Sequence, residues 1–125
     1  MREIKYRARA SHIKYARYKA WFYGAPYRDH KGKWRMRNDT HDVGIVDKSI
    51  AQFTGLIVEN EKELYEGHIF HLGDPNITYT VVWHDTGLKG KQNGAASFVG
   101  LEHWQERIEI VGNRYENPEL LEAKR

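Results

Sequence analysis

The chain is 125 residues long, the size of a single domain, and it carries 20 Lys and Arg, 17 Asp and Glu and no Cys. The lack of Cys excludes disulfide and thiolate chemistry, and no apolar run reaches the roughly 20 residues of a membrane-spanning helix. Residues 1–6 also lack the apolar stretch of a signal peptide, so we expect a cytoplasmic protein.

Charge is distributed unevenly along the chain. Residues 1–37 contain 12 basic and 2 acidic side chains, a net charge of +10, whereas residues 38–125 contain 8 basic and 15 acidic side chains, a net charge of −7. This asymmetry indicates a face that binds polyanions, or a basic surface that meets an acidic surface of another copy, or solvated strand faces of no special use.

The N-terminal segment is predicted to be mostly β. Residues 3–10 alternate charged and apolar side chains, which places four charges on one face of a strand and four apolar groups on the other. Residues 11–20 suit either a short helix or a strand. Residues 21–23 continue as a strand, and Gly24-Ala25-Pro26 is predicted to end it.

A β-hairpin is predicted next. Its strands lie at 25–29 and 33–37, with a turn at 30–32 between them. The period of 2 places Trp34 and Met36 on one face of the second strand and the basic side chains on the other.

The polar loop 38–42 follows the hairpin, and the composition changes there from basic to acidic. We therefore expect one domain, 1–125, with a sub-domain boundary at this loop. The basic N-terminal β segment is 1–38, and the remainder is 43–125.

Short strands separated by turn residues are typical of the rest of the chain. Thr54-Gly55 and residues 60–62 are predicted turns, residues 85–94 a long mobile loop, and residues 117–123 a short helix or turn. Residues 43–46 and 49–53 are predicted to be two short strands or one strand and a turn. Further strands are predicted at 56–58, 63–65, 68–72, 77–84, 95–101 and 105–111. The predicted fold class is all-β with small α content, a barrel-like C-terminal half and a basic N-terminal β-hairpin segment packed on it.

No pattern of catalytic or metal-binding residues emerges. His68 and His71 are three residues apart, which places them on opposite faces of a strand, and the other five histidines are scattered. Residues 87–94 are rich in Gly and Lys but lack the spacing of a P-loop, and no nucleophile elbow occurs. We therefore expect a protein that is not an enzyme, with no metal, cofactor or small-molecule substrate.

The basic N-terminal third favours binding of DNA or RNA without strong sequence preference. Lys and Arg bind phosphates through counterion release, and aromatic side chains between them stack on unpaired bases. The candidate nucleic-acid-binding residues are Lys5, Arg7, Arg9, Tyr15, Arg17, Tyr18, Lys19, Arg28, Lys33 and Arg35.

Self-assembly is the competing interpretation, and it is compatible with the first. The basic segment of one copy would dock on the acidic remainder of the next and build a homo-oligomer, such as a dimer or a ring. Trp21, Phe22 and Trp34 would then supply the core of the interface.

Four segments, in order along the whole chain, resemble the YopX-like family of small phage and prophage proteins. They are Met1–Ala8, Trp21-Phe22-Tyr23-Gly24, the pair Gln52-Phe53-Thr54-Gly55-Leu56 and Glu63-Leu64-Tyr65-Glu66-Gly67, and Val111–Leu121. The resemblance implies a β-rich, oligomeric protein of unsettled role in the cytoplasm of a bacterial host, and it carries over no catalytic residues.

The chain departs from the family pattern at two places in the central motif. His68 stands where the family usually has an acid, and the turn Asn60-Glu61 lacks the Gly that commonly follows Asn. A turn of this kind requires positive φ angles, which Gly adopts most easily.

Overall fold

The computed structural model describes residues 5–11 and 21–121. The chain forms two compact units, Met1–Phe53 and Thr54–Arg125. In the described ranges, eleven β-strands form two sheets, and one four-residue α-helix accompanies them. The predicted all-β fold with small α content is therefore confirmed. Closure of the C-terminal half into a barrel, and packing of the N-terminal segment on it, stay predictions.

One sheet has six strands in the order β4-β3-β2-β1-β5-β6, of which the first five along the chain begin in the first unit and β6 (Lys62–Tyr65) lies in the second. The first five are β1 (Tyr6–Arg9), β2 (Trp21–Arg28), β3 (Trp34–Arg37), β4 (Asp42–Gly44) and β5 (Ala51–Val58), and β5 ends in the second unit. A 3₁₀ turn, Asp47–Ser49, precedes β5. Ala8, Met36, Val43 and Ile45 form the buried core of the first unit.

The predicted hairpin is confirmed as β2 and β3. Its register pairs Arg28 with Trp34 and Ala25 with Arg37, so the chain reverses between residues 28 and 34. Met36 is 1% exposed, and Trp34 packs against the same core, as the period of 2 requires.

The predicted break at Gly24-Ala25-Pro26 is wrong, because β2 runs through it. A Cβ at Gly24 would collide with the carbonyl oxygen of Arg37, so the glycine serves close approach within a sheet rather than a turn. β1 pairs with β2 up to Gly24 and β3 pairs from Ala25 onward. Pro26 therefore lies where β2 has a single paired neighbour and its missing N–H costs little.

The second unit contains the end of β5 and a five-stranded antiparallel sheet in the order β10-β9-β8-β7-β11. Its elements are β6 (Lys62–Tyr65), β7 (His68–His71), β8 (Thr78–His84), β9 (Gly87–Gln92), β10 (Phe98–Val99), α1 (Leu101–Trp104) and β11 (Glu109–Asn113). Three 3₁₀ turns lie at Glu59–Glu61, Gln105–Arg107 and Pro118–Leu121. The buried core comprises Val58, Leu64, Phe70, Val81, Leu101 and Ile108.

The predicted mobile loop 85–94 is wrong, because most of it is strand β9. β9 pairs with β8 along its whole length, and Asp85, with φ of 55°, begins the tight turn between them. A Cβ at Gly90 would lie 2.7 Å from Cζ of Phe70, so this glycine is needed where a core ring packs on the strand. A glycine-rich composition was therefore a sign of close packing here, not of mobility.

Two turn predictions have opposite outcomes. Thr54-Gly55 is not a turn, because it lies inside β5, where Gly55 adopts a φ of 90°. The tight turn near residue 60 is confirmed, and Asn60 and Glu61 adopt φ angles of 61° and 59°. The left-handed conformation is thus adopted by Asn60, a residue type that tolerates it, and by Glu61, where a Gly would adopt it more easily.

The strand predicted at 95–101 is shorter than expected, because α1 follows β10 directly. Leu101 and Trp104 are three residues apart, which places both on one helix face, and both pack on the core of the second unit. The strand predicted at 105–111 begins later, at Glu109, after a 3₁₀ turn.

The change of composition at 38–42 lies inside the first unit. It coincides with the connection between β3 and β4, which pair with each other, and the division between the compact units falls at Phe53 and Thr54.

Candidate binding sites

Two of the sequence-predicted nucleic-acid-binding residues are buried. Arg7 and Arg9 are 9% and 7% exposed, and their guanidinium carbons lie 4.0 and 4.9 Å from the ring centre of Trp21. These two candidates are therefore not part of an exposed cationic surface. Cation–π stacking of a desolvated guanidinium contributes about 2 kcal/mol, so these charges help to hold β1 against β2.

The remaining candidates divide into three groups. The ammonium group of Lys5 lies 4.8 Å from the ring centre of Phe53, beside the strand pair β1–β5. Four candidates lie outside the described residues, namely Tyr15, Arg17, Tyr18 and Lys19. Arg28, Lys33 and Arg35 are brought together by the β2–β3 hairpin.

We call the cavity beside this hairpin the cationic cleft, and it has a volume of about 540 Å³. Arg28, Lys33, Trp34 and Arg35 line it from the hairpin, and Ser11 and residues 44–47 line it from the other side. Of the ten residues chosen from the sequence, three therefore meet at one cavity.

The hairpin turn fixes the orientation of the cleft side chains. One carboxylate oxygen of Asp29, Oδ1, accepts the backbone N–H groups of Lys31 and Lys33 at 2.9 and 3.0 Å. The bond from Lys33 is the main reason that the pKa of Asp29 is lowered from its ordinary value. Arg28 donates from Nε and Nη2 to the carbonyl oxygen of Gly32, and its guanidinium lies over Trp34.

A second cluster on the same hairpin was missed in the sequence. Asp42 accepts hydrogen bonds from the Tyr27 hydroxyl at 2.7 Å, from Arg35 Nε at 3.0 Å and from Arg37 Nη2 at 3.0 Å. The Tyr27 bond, followed by the two guanidinium groups, lowers the pKa of Asp42. Only the register of three strands brings these residues together, and from the sequence Asp42 was assigned to a polar loop.

The second unit has a groove of opposite character, also missed. This acidic groove has a volume of about 640 Å³ and is lined by Ile57, Val58, Glu59, Leu72, Gly73, Gln105, Glu106, Arg107 and Glu109. Ile57 is 45% exposed, and its carbonyl oxygen accepts a bond from Gln105 at 2.7 Å. The groove thus combines an apolar surface with three carboxylates and one guanidinium.

The glycines of the recurring motifs have structural roles. Gly67 has a φ of 89° in the turn before β7, and the Arg114 side chain packs beside it and pairs with Glu66 at 3.4 Å. A Cβ at Gly112 would lie 2.5 Å from Oδ1 of Asn117. The Arg114 contacts join the central motif to the C-terminal motif, and the Gly112 contact lies within the C-terminal motif.

The family model described as YopX protein matches residues 5–122, nearly the whole chain. The chain belongs to the YopX family. A comparison with curated proteins returned no match. Over the described part of this YopX-family chain, no helix is long and apolar enough to cross a membrane.

Two buried histidines of this YopX-family chain accept backbone hydrogen bonds. Nδ1 of His68 accepts the N–H of Tyr65 at 2.9 Å, and Nδ1 of His71 accepts the N–H of Gly73 at 3.1 Å. Nε2 of His71 lies 3.1 Å from a carboxylate oxygen of Glu109. Among residues 5–11 and 21–121, no three His, Asp or Glu side chains converge in a way that would hold a metal ion.

Proposed function

We propose that the protein is a non-enzymatic binding module that works in a self-assembled form, with the acidic groove of one copy receiving basic side chains of another. In line with the YopX resemblance, we further propose that it serves a phage or prophage in the cytoplasm of the bacterial host. The acidic groove is the observation that carries the proposal.

The charge of the two compact units supports this arrangement. The first unit contains 13 basic and 5 acidic residues, a net charge of +8, and the second contains 7 basic and 12 acidic residues, a net charge of −5. Opposite charges on separate surfaces speed the encounter of two copies and fix their orientation. They also make association weaken as salt is added.

The construction of the groove suits a long basic side chain. Ile57 and Leu72 offer apolar surface, and Glu59, Glu106 and Glu109 supply charge beside it. Lys and Arg pack their aliphatic stems on apolar groups while the charged head remains near carboxylates and water. The first unit presents such a side chain at the exposed position Lys48, outside the hairpin.

The proposal is tested by light scattering of the purified protein over a range of concentration and ionic strength. We expect a discrete oligomer that dissociates as salt rises. Glu106→Lys reverses one groove charge and is expected to weaken association by at least about tenfold, because a like-charge contact costs several kcal/mol and each 1.4 kcal/mol is about tenfold. Glu119→Lys makes the same change at an exposed position of the same unit outside the groove, and it should leave association unchanged.

A monomer at every concentration and ionic strength would refute self-assembly. An oligomer that Glu106→Lys and Glu119→Lys weaken equally would show that the acidic groove is not the contact surface.

A further inference from the structure

We propose that the cationic cleft of the first unit binds the phosphate group of a nucleotide or of a nucleic-acid strand. This inference goes beyond self-assembly and does not depend on it. It rests on which polar groups of the cleft are already used inside the protein and which are not.

Part of the acceptor set that lines the cleft is engaged, including one oxygen of each of the two carboxylates, Asp29 and Asp47. Oδ1 of Asp29 accepts two backbone N–H groups, and the carbonyl oxygen of Gly32 accepts both bonds from Arg28. Oδ1 of Asp47 accepts the N–H of Lys48 at 2.7 Å. Arg35 is turned to the side chain and carbonyl oxygen of Asp42, so the hairpin holds its own cation in place.

Several donors at the cleft remain available. Within the described residues, the ammonium group of Lys33 and the hydroxyl of Ser11 form no hydrogen bond with the protein, and Nη1 of Arg28 is likewise unused. Lys33 and Ser11 are exposed to solvent. The lining carries three cationic side chains against two carboxylates, and its unengaged donors suit an anion with several acceptor oxygens.

The cleft is also prepared for an anion before one arrives. The guanidinium of Arg28 is fixed between the carbonyl oxygen of Gly32, at 3.0 and 3.2 Å, and the Trp34 ring, whose centre is 5.6 Å away. The backbone at Lys33 is fixed by its bond to Asp29. Binding therefore orders few side chains, which lowers its entropic cost.

Size distinguishes a phosphate ester from a small free anion. The volume of about 540 Å³ is within the range of about 300–1,000 Å³ for small-molecule sites, so it exceeds what a lone phosphate fills. The half-buried residues Trp34 and Val46 line the same cavity and offer apolar surface for a sugar or base. Nucleotides and nucleic-acid strands share this combination of phosphate and flat apolar ring.

The test compares three probes at low salt, namely inorganic phosphate, AMP and a fluorescently labelled single-stranded oligonucleotide. Calorimetry measures the first two and fluorescence anisotropy the third. We expect Lys33→Ala to lower affinity about tenfold, as loss of a charged hydrogen bond does. Lys31→Ala is the matched control, because it removes the same charge from the same exposed turn without lining the cleft.

The probes also distinguish the source of the phosphate. AMP binding that depends on Lys33 would identify a nucleotide as the ligand. Binding of the oligonucleotide alone would identify a nucleic-acid strand, and the slope of log affinity against log salt concentration should then fall by about 0.7 in Lys33→Ala. The proposal is overturned if none of the probes binds, or if Lys33→Ala and Lys31→Ala weaken binding equally. Light scattering of the same samples reports assembly separately, so failure of one proposal is distinguishable from failure of the other.

Discussion

The two compact units bury their interiors by different means. In the second unit, six buried apolar residues form the core, and Phe70 stacks on Tyr79 with ring centres 5.4 Å apart. In the described part of the first unit the corresponding core has four members, two of which are the small residues Ala8 and Val43. Arginines that stack on Trp21 are buried there as well. Some cationic side chains of the first unit are therefore part of its packed interior.

This difference changes how net charge should be interpreted. From the sequence, the cations of the first unit are expected to face a partner. In the structure, Arg7 and Arg9 are buried, and Arg35 and Arg37 bind Asp42. The arginine stem and planar head cover apolar and aromatic surface, so charge counted along the chain overstates charge available at the surface.

The largest expected effect comes from removing the central ring of the second unit. Phe70→Ala deletes a side chain that is 0% exposed, and such a change costs about 3–5 kcal/mol because a cavity remains. Met36→Ala, at 1% exposed, removes the largest member of the first core and is expected to cost about 2–4 kcal/mol.

Amide hydrogen exchange is the measurement for both variants, since it reports stability segment by segment. Phe70→Ala should reduce protection mainly in β7–β9, and Met36→Ala mainly in β2–β4. An equal loss of protection in both units from either variant would contradict the description of two cores.

An intermediate effect is expected at Trp21. Trp21→Ala removes the ring on which Arg7 and Arg9 stack, and we expect a loss of about 2–3 kcal/mol, seen as reduced amide protection of β1 and β2. Trp83→Ala is the control, because Trp83 is 51% exposed in the second unit and its loss should change stability by less than about 0.5 kcal/mol. Equal effects of the two variants would mean that the buried arginines do not depend on Trp21.

The sequence predicted the elements whose signals are local. The period of 2 around Trp34 and Met36 predicted the hairpin and its buried face, and the YopX motifs predicted the family over the full chain. The sequence-based prediction failed where a glycine is required by a residue that is distant along the chain. Gly24 faces the backbone of Arg37 and Gly90 faces the ring of Phe70, and neither partner is visible along the chain.

The candidate sites show the same limit. The sequence grouped Arg28, Lys33 and Arg35 because they belong to one predicted hairpin, and the three line the cationic cleft. Burial of Arg7 was not foreseen, because alternation distinguishes two faces of a strand but not a covered face from an open one. The acidic groove was missed because Glu59 and Glu106 lie 47 positions apart and only the tertiary fold brings them together.

The smallest expected effect concerns Asp42, and it is visible through pH. The Tyr27 hydroxyl and two guanidinium groups hold the pKa of Asp42 below its ordinary value of 3.8. The ionised carboxylate is therefore more stable in the folded hairpin than in the unfolded chain. The resulting stabilisation is fully present above about pH 3.8 and is lost as pH falls through the lower pKa of the folded state. Exposure and salt screening keep the effect small.

Asp42→Asn removes the charge at this position, and Asp39→Asn removes one from the same loop as a control. Hydrogen exchange of the β3 and β4 amides, compared with the unaltered protein at each pH, should show lower protection in Asp42→Asn at neutral pH. The difference should shrink below pH 3.8, because the unaltered protein then loses the same charge. A difference that is independent of pH would assign the contribution of Asp42 to hydrogen-bond geometry alone. The charge of Asp42 would then not contribute to the stability of the hairpin.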